Sequence, residues 1–316
     1  MIHRAFILAL GATLGGCAGF SPSNGAAAPN RVNDARPDAS LAKQDLLYVA
    51  NTNGEVTIYR YWLHTLVGVL TNFTQPMGEC VDAKSNVYIT DDAAKQVLEF
   101  AHGGTKPLKK FNDAPDSPYA CSVDQKTGDL AVANNDGTQQ GNIAIWTNGT
   151  GQPAHYNDSL LFNFAALAYD ANGNLVTTSG GSYNVPPYFA WLPKGGTQLI
   201  NITIPGPNPS WQWRFASGIQ WDGKYFVIDD NYLIRIALIH GLAYYVGETD
   251  LYGGGYPIWI YDNKPGQQGT QAVGGYYSNS YSRVDYYHYP SGGSAYYELT
   301  HGVDRPTGLT VSLRTQ

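Results

Sequence analysis

"PMGECVDAKSNVYITDDAAKQVLEFAHGGTKPLKKF", residues 76–111, is one unit of a chain that repeats itself. It returns as "PYACSVDQKTGDLAVANNDGTQQGNIAIWTNGTGQPAHY" (118–156) and as "FAALAYDANGNLVTTSGGSYNVPPYFAWLPKGGTQLINI" (164–202). "ASGIQWDGKYFVIDDNYLIRIALIHGLAYYVGE" (216–248) is a further copy, and "PIWIYDNKPGQQGTQAVGGYYSNSYSRVDYYHYPSGGSAYYEL" (257–299) is a weaker one. Asp82, Asp124, Asp170, Asp222 and Asp262 mark the same place in each unit, at spacings of 42, 46, 52 and 40 residues by subtraction. Self-similarity at such a period is the signature of a repeat architecture.

Each unit reads as four short strands. The first ends at the marker aspartate, whose side chain can bond the backbone of the following turn. The second is the "VYIT", "LAVA", "LVTT" or "YFVI" run. The third and fourth form a hairpin around a glycine, which accepts the positive φ of a tight turn. Four strands every 40 to 50 residues describe a β-propeller blade. The two ends supply one more. "LLYVANTNGEVTIYRYWLHTLVGVL" (46–70) is a second, third and fourth strand, and "RPTGLTVSLR" (305–314) is a first strand without the others. Joined, they close the ring and remove two exposed sheet edges. The expected fold is all-β: a six-bladed β-propeller over residues 44–316.

The N-terminus reads differently. Arg4 precedes an apolar run from Ala5 to Leu14, which is shorter than the roughly twenty residues a membrane span needs but suits a secretory signal. Leu14-Gly15-Gly16-Cys17 resembles the lipobox of bacterial lipoproteins. That resemblance implies a signal peptide over 1–16 and lipidation of Cys17. With Ala18 following, it also implies sorting to the outer membrane. Residues 17–43, rich in Ala, Pro, Ser and Asn, read as a flexible tether. The expected location is extracytoplasmic and lipid-anchored.

The net charge of −6, with no Lys/Arg stripe, argues against nucleic acid as a partner. Nor is there a polybasic patch for anionic lipid, so membrane contact is expected through the acyl chains alone.

The units "PMGECVDAKSNVYITDDAAKQVLEF" and "NFAALAYDANGNLVTTSGG" resemble NHL-type repeats. The whole is similar to the six-bladed, TolB-like propeller domains of bacterial lipoproteins. That resemblance implies a fold and little about function, because such propellers include lactonases, lyases and scaffolds. Gluconolactonase-like relatives hold a divalent metal with Glu, Asn and Asp where the inner strands begin. Those places here read Met77-Gly78, Tyr119-Ala120, Phe164-Ala165, Ser217-Gly218 and Thr307-Gly308, with no carboxylate or amide among them. Glu79 is the only acid nearby, whereas a hard cation takes six or more oxygens. The virginiamycin-lyase-like arrangement of His and Glu is not found either. No metal, cofactor or catalytic residue is expected.

Asp91-Asp92, Asn134-Asn135-Asp136 and Asp229-Asp230-Asn231 suggest metal clusters, but they share one repeat address with Asn51-Thr52-Asn53. Repetition at one address favours turn chemistry, with calcium the alternative. The seven histidines show no metal-ligand spacing. His64, His102 and His240 fall in or beside outer hairpins and read as packed or solvated surface residues.

Cys80 and Cys121 lie on neighbouring inner strands. Aligning "GECVD" with "ACSVD" sets Cys80 beside Ser122 and Glu79 beside Cys121, so the two cysteines point to opposite faces of their own sheets. Opposite parity is what facing sheets need for side chains to meet. Outside the cytoplasm the expected state is a Cys80–Cys121 disulfide, with two buried thiols the alternative.

Tyrosine is frequent, with 24 in the chain, and crowds the last full blade. Tyr276, Tyr277, Tyr281 and Tyr286 there, with Trp211 and Trp213 in "PGPNPSWQWRF", are the candidate binding residues. Aromatics with polar tips suit contact surfaces, although strands also use Tyr simply to pack. The functional expectation is a non-catalytic propeller that binds a protein or glycan partner. The alternative is a lactonase or lyase acting in the channel.

Overall fold

The computed structural model describes residues 40–135, 141–158, 161, 163–179, 188–205, 218–230, 232–253, 255–261, 271–278 and 281–314. Cys17, Trp211, Trp213, Ser217, Asp136, Asn231 and Asp262 lie outside them.

The first blade begins with β1 (Leu46–Asn51), β2 (Val56–Arg60) and β3 (Thr65–Leu70). The second is β4 (Pro76–Val81), β5 (Val87–Asp91), β6 (Gln96–Phe100) and β7 (Pro107–Asn112). The third is β8 (Pro118–Val123), β9 (Leu130–Asn134), β10 (Ile143–Trp146) and β11 (Ala154–Tyr156). The fourth is β12 (Phe164–Tyr169), β13 (Leu175–Ser179), β14 (Tyr188–Leu192) and β15 (Ile200–Ile202). The fifth is β16 (Gly218–Trp221), β17 (Phe226–Asp229), β18 (Leu233–Ile239) and β19 (Leu242–Thr249). A short strand, β20 (Leu251–Tyr252), precedes the sixth blade of β21 (Gly255–Tyr261), β22 (Gln271–Ser278) and β23 (Tyr281–His288). β20 pairs in parallel with β24 (Gly293–Ser294), and β25 (Tyr297–Leu299) completes that blade. β26 (Pro306–Ser312) then pairs antiparallel with β1, from Leu46↔Ser312 to Asn51↔Pro306.

Six four-stranded antiparallel sheets result, as expected. The innermost strands β26, β4, β8, β12, β16 and β21 each touch the next around a ring. We call the face where they begin the entry face and the opposite one the exit face.

The core lies between blades, which explains why β1 reads as a continuous apolar run. Leu46, Tyr48 and Ala50 pack against blade 2, while Leu47 and Val49 pack against blade 6. A strand covered on both faces has no need of polar alternation.

The marker aspartates act as expected. Asp82 Oδ1 accepts from the Lys84 and Asn86 amides at 2.8 Å, and Asp170 Oδ1 accepts equally from Asn172 and Asn174. Asp124 and Asp222 cap their turns in the same way. At the other end of blades 1 to 3, the residue after the second strand donates its N–H to the linker before the first. The pairs are Thr52 to Asp304, Asp92 to Gln75 and Asn135 to Ser117.

Three details depart from the sequence reading. Leu41–Lys43, read as tether, form a single 3-10 turn with Leu41 buried in the core between blades 1 and 2. In blade 4 a bulge between Phe164 and Ala166 sets Phe164 level with Pro118, so Ala165-Ala166 is the pair equivalent to Tyr119-Ala120. In blade 6 the register runs one residue ahead of Asp262. Trp259 and Tyr261 face blade 1 there, as Cys80 faces blade 3, while Ile258 and Ile260 face blade 5. Bulges in inner strands shift parity without changing composition.

Candidate functional site

The ring of inner strands encloses a cavity of about 470 Å³. At its entry end the walls are small residues, because neighbouring strands nearly touch there. A Cβ on Gly78 would stand 2.6 Å from Ala120 Cα and 2.7 Å from Tyr119 O, and one on Gly308 would overlap Met77 O. Gly78 and Gly308 are thus small for a packing reason. Carbonyls at this rim are held internally. Thr90 Oγ1 donates to Gly78 O at 3.1 Å, and Thr307 Oγ1 to Pro76 O at 2.8 Å.

Tyr119 of blade 3 and Tyr256 of blade 6 approach one another across the ring. Burial, followed by the Tyr119 hydroxyl, pushes the Tyr256 phenol well above its ordinary value.

Glu79 borders the channel, but its carboxyl oxygens are enclosed. Both of its oxygens are buried without a hydrogen-bond partner, and its Cγ packs where a Cβ on Gly308 would fall. Burial raises its carboxyl well above the usual range, and the nearby Thr310 N–H only partly opposes this. Among the described residues no three His, Cys, Asp or Glu side chains converge as a metal site would require.

On the opposite face of β4, Cys80 is bonded to Cys121 of β8, with Cα atoms 5.6 Å apart. The opposed parities read from sequence place the two sulfurs between blades 2 and 3, beside Tyr88, Phe111 and Trp146.

The polar clusters at the ends of the second strands are turn chemistry where they are described. Asp91 accepts from the Thr74 and Gln75 amides at 3.1 and 2.8 Å, and Asn51 Oδ1 accepts from the Asp304 amide at 2.8 Å. Asn134 bonds the Asn142 side chain.

The histidines part ways. His64 stacks on Tyr297 at 3.7 Å, and His155 lies beside Asp116 and Asn142. His102 is buried and bonded to segments at both ends of the described chain. Its role is invisible locally, since its partners lie up to 210 residues away.

The tyrosines of the last blade separate into two groups. Tyr276, Tyr277 and Tyr281 come together at the tip of the β22–β23 hairpin on the entry face. Tyr277 is 56 % exposed and Tyr281 39 %. Arg283 anchors two of them: its guanidinium lies 4.5 Å from the Tyr276 ring centre and 5.3 Å from that of Tyr281, while Tyr277, paired with Ser282, points to the other side of the sheet. Asp285 holds Arg283 Nε at 2.7 Å, while Glu298 accepts from the Tyr281 hydroxyl at 3.1 Å. Nothing in the sequence singled out Arg283 or Glu298, which reach the patch only through strand pairing.

Tyr286 is a correction. It is fully buried between blades 6 and 1, against Tyr61 at 5.5 Å and His64 at 4.6 Å, and is unavailable to a partner. In β23 it points to the opposite side of the sheet from Arg283.

No protein-family model matches the chain, and no curated protein matches it. Solved structures with the same architecture are similar to it at low identity. A chain from "Crystal structure of Nidogen/Laminin Complex" is 14 % identical with a TM-score of 0.60, over 86 % of this chain and 100 % of that one. A protein of unknown function from Bacteroides caccae is 10 % identical with a TM-score of 0.61, over the same shares. At such identities the likeness is one of fold.

Proposed function

We propose that this chain is a non-catalytic, extracytoplasmic binding propeller, anchored to the outer membrane through lipid on Cys17. The observation that carries the binding reading is the entry-face hairpin tip, where Arg283 braces Tyr276 and Tyr281 and the exposed Tyr277 ring stands on the other side of the same tip. Rings exposed beside a fixed guanidinium and a carboxylate suit sugar faces and hydroxyls, or the polar-aromatic surface of a protein.

Ser40 lies next to the exit-face turn that His102 and Asp45 hold, on the face opposite the patch. A disulfide between inner strands suits an oxidising compartment. The buried state of Glu79 weighs against a channel lactonase or lyase.

The test is calorimetric titration against cell-wall, outer-membrane and surface glycan fractions, with crosslinking pull-downs for proteins. Binding by the wild type that Tyr277→Ala abolishes supports the reading. Turnover of a lactone or lyase substrate that is lost in Glu79→Gln would overturn it.

A further inference from the structure

The channel narrows towards the entry face, where Gly78 and Gly308 lie against neighbouring strands, and opens at the exit face. At the entry end, Tyr119 and Tyr256 approach one another across the ring. At the exit end, the lining reaches the exposed turn residues Ala83 and Gln125. Between them the walls are mostly apolar, with Val81, Val123 and Leu313 near the mouth. Two indoles stand on adjacent blades in this half: Trp221 ends β16, and Trp259 lies on β21. Both remain partly exposed, and Trp221 is braced edge-on against Phe226 at 5.0 Å.

We infer that this exit-face cavity is a binding site for an uncharged, flat, largely apolar small molecule that stacks on Trp221 and Trp259. Its volume of about 470 Å³ falls in the range of ligand pockets, roughly 300–1,000 Å³. Charge selects against ions. No Lys, Arg or His lines the cavity, and its two acids are engaged or buried. Asp82 caps its own turn through Lys84 and Asn86, and the Glu79 oxygens are enclosed. A charged ligand would lose its hydration there without a counter-charge.

Polar recognition is sparse. Gln220 uses both ends of its amide on the Ile260 backbone. Gln125 Nε2 donates to Val81 O and Val123 O, which leaves its carbonyl oxygen as an acceptor at the rim. One acceptor at the mouth of an aromatic-walled cavity admits a ligand with one polar edge. Water confined against such walls is readily displaced by apolar surface.

The experiment is a fluorescence titration of the purified chain with N-phenyl-1-naphthylamine, an uncharged aromatic dye. One dye per chain is expected, with binding weakened at least tenfold by Trp259→Ala and by Gln125→Lys. Gln125 is exposed, so its replacement tests the mouth without disturbing the core. Tyr277→Ala should leave dye binding unchanged, which separates this cavity from the entry-face patch. Absence of saturable binding would overturn the inference. So would binding indifferent to both channel variants, which would place the dye elsewhere, for instance on exposed Leu242, Tyr244 and Val246 of β19.

Discussion

His102 Nδ1 lies 2.6 Å from Ser312 Oγ, joining the outer hairpin of blade 2 to the last residue of the closing strand. Its Nε2 faces Gln44 O at 2.9 Å and Leu41 O at 3.2 Å, so one imidazole holds both the first and last segments of the ring. Nε2–H donates to these carbonyls, and Nδ1 faces Ser312 Oγ, whose own hydroxyl donates to Ser85 O at 2.7 Å. Burial lowers the pKa below 6.5, with the two carbonyls partly opposing. Folded protein therefore binds this proton less readily than unfolded chain. The contribution is complete above the unfolded value and lost as pH falls through the folded one. His102→Ala should cost about 1–3 kcal/mol at neutral pH and lessen the loss of stability on acidification. Urea unfolding of both proteins at pH 7.5 and 5.5 measures this; an equal acid-side loss in the variant would rule out His102 as its source.

The Cys80–Cys121 bond spans 41 residues of sequence and ties the inner strands of blades 2 and 3. Removing it by Cys80→Ala with Cys121→Ala should lower stability by about 2–4 kcal/mol. Reductant should destabilise the wild type by a similar amount and leave the double variant unchanged. Equal sensitivity of the two proteins would mean that the bond does not form in solution.

Two buried acids set the opposite pH dependence. Burial pushes Asp113 up to about 8; Asp116 adds to the rise, while Asn134 and Lys95 oppose it. Burial raises Glu79 as well. A raised folded value favours the protonated form, so stability is full below the ordinary carboxylate range and declines as pH climbs towards the folded value. Each such group contributes a slope of up to about 1.4 kcal/mol per pH unit. Asp113→Asn should flatten the decline between pH 5 and 8, and Glu79→Gln should flatten a further part. Denaturation midpoints across that range report the slopes directly, and a slope untouched by Asp113→Asn would refute the assignment.

The ring, its closure and the disulfide were legible because they depend on order and parity along the chain. Asp82, Asp124, Asp170 and Asp222 recur because each caps an equivalent turn, and Cys80 meets Cys121 because one-residue offsets invert faces. The register of blade 6 was not legible, since Asp262 follows a residue that faces blade 1, whereas Asp82 lies two residues beyond the one that faces the next blade, and no composition signal marks the difference. The site was read only in part. Tyr276, Tyr277 and Tyr281 do gather, but Tyr286 is identical in type and lies inside. His102 was read as a surface residue although it is buried, and Asp45 was not singled out, because their partners are distant in sequence. Asp45 binds Tyr261 and Trp62 at 2.9 and 3.0 Å and caps the Arg314 amide, contacts no local window reveals.

Tyr286 and Tyr277 offer the sharpest contrast within one blade. Tyr286 is enclosed by Tyr61, His64 and Tyr297, and its hydroxyl has no hydrogen-bond partner. Tyr286→Ala should cost about 3–5 kcal/mol through lost packing and a cavity between blades 6 and 1. Tyr286→Phe should be neutral or stabilising, because it deletes a buried hydroxyl that bonds nothing. Tyr277, more than half exposed, should tolerate alanine within about 0.5 kcal/mol. Thermal and urea unfolding of the three variants separates these outcomes. A large loss in Tyr286→Phe would mean the hydroxyl is bonded in solution, and a large loss in Tyr277→Ala would make the patch part of the core. Only if Tyr277→Ala folds normally can its effect on partner binding be assigned to the surface itself.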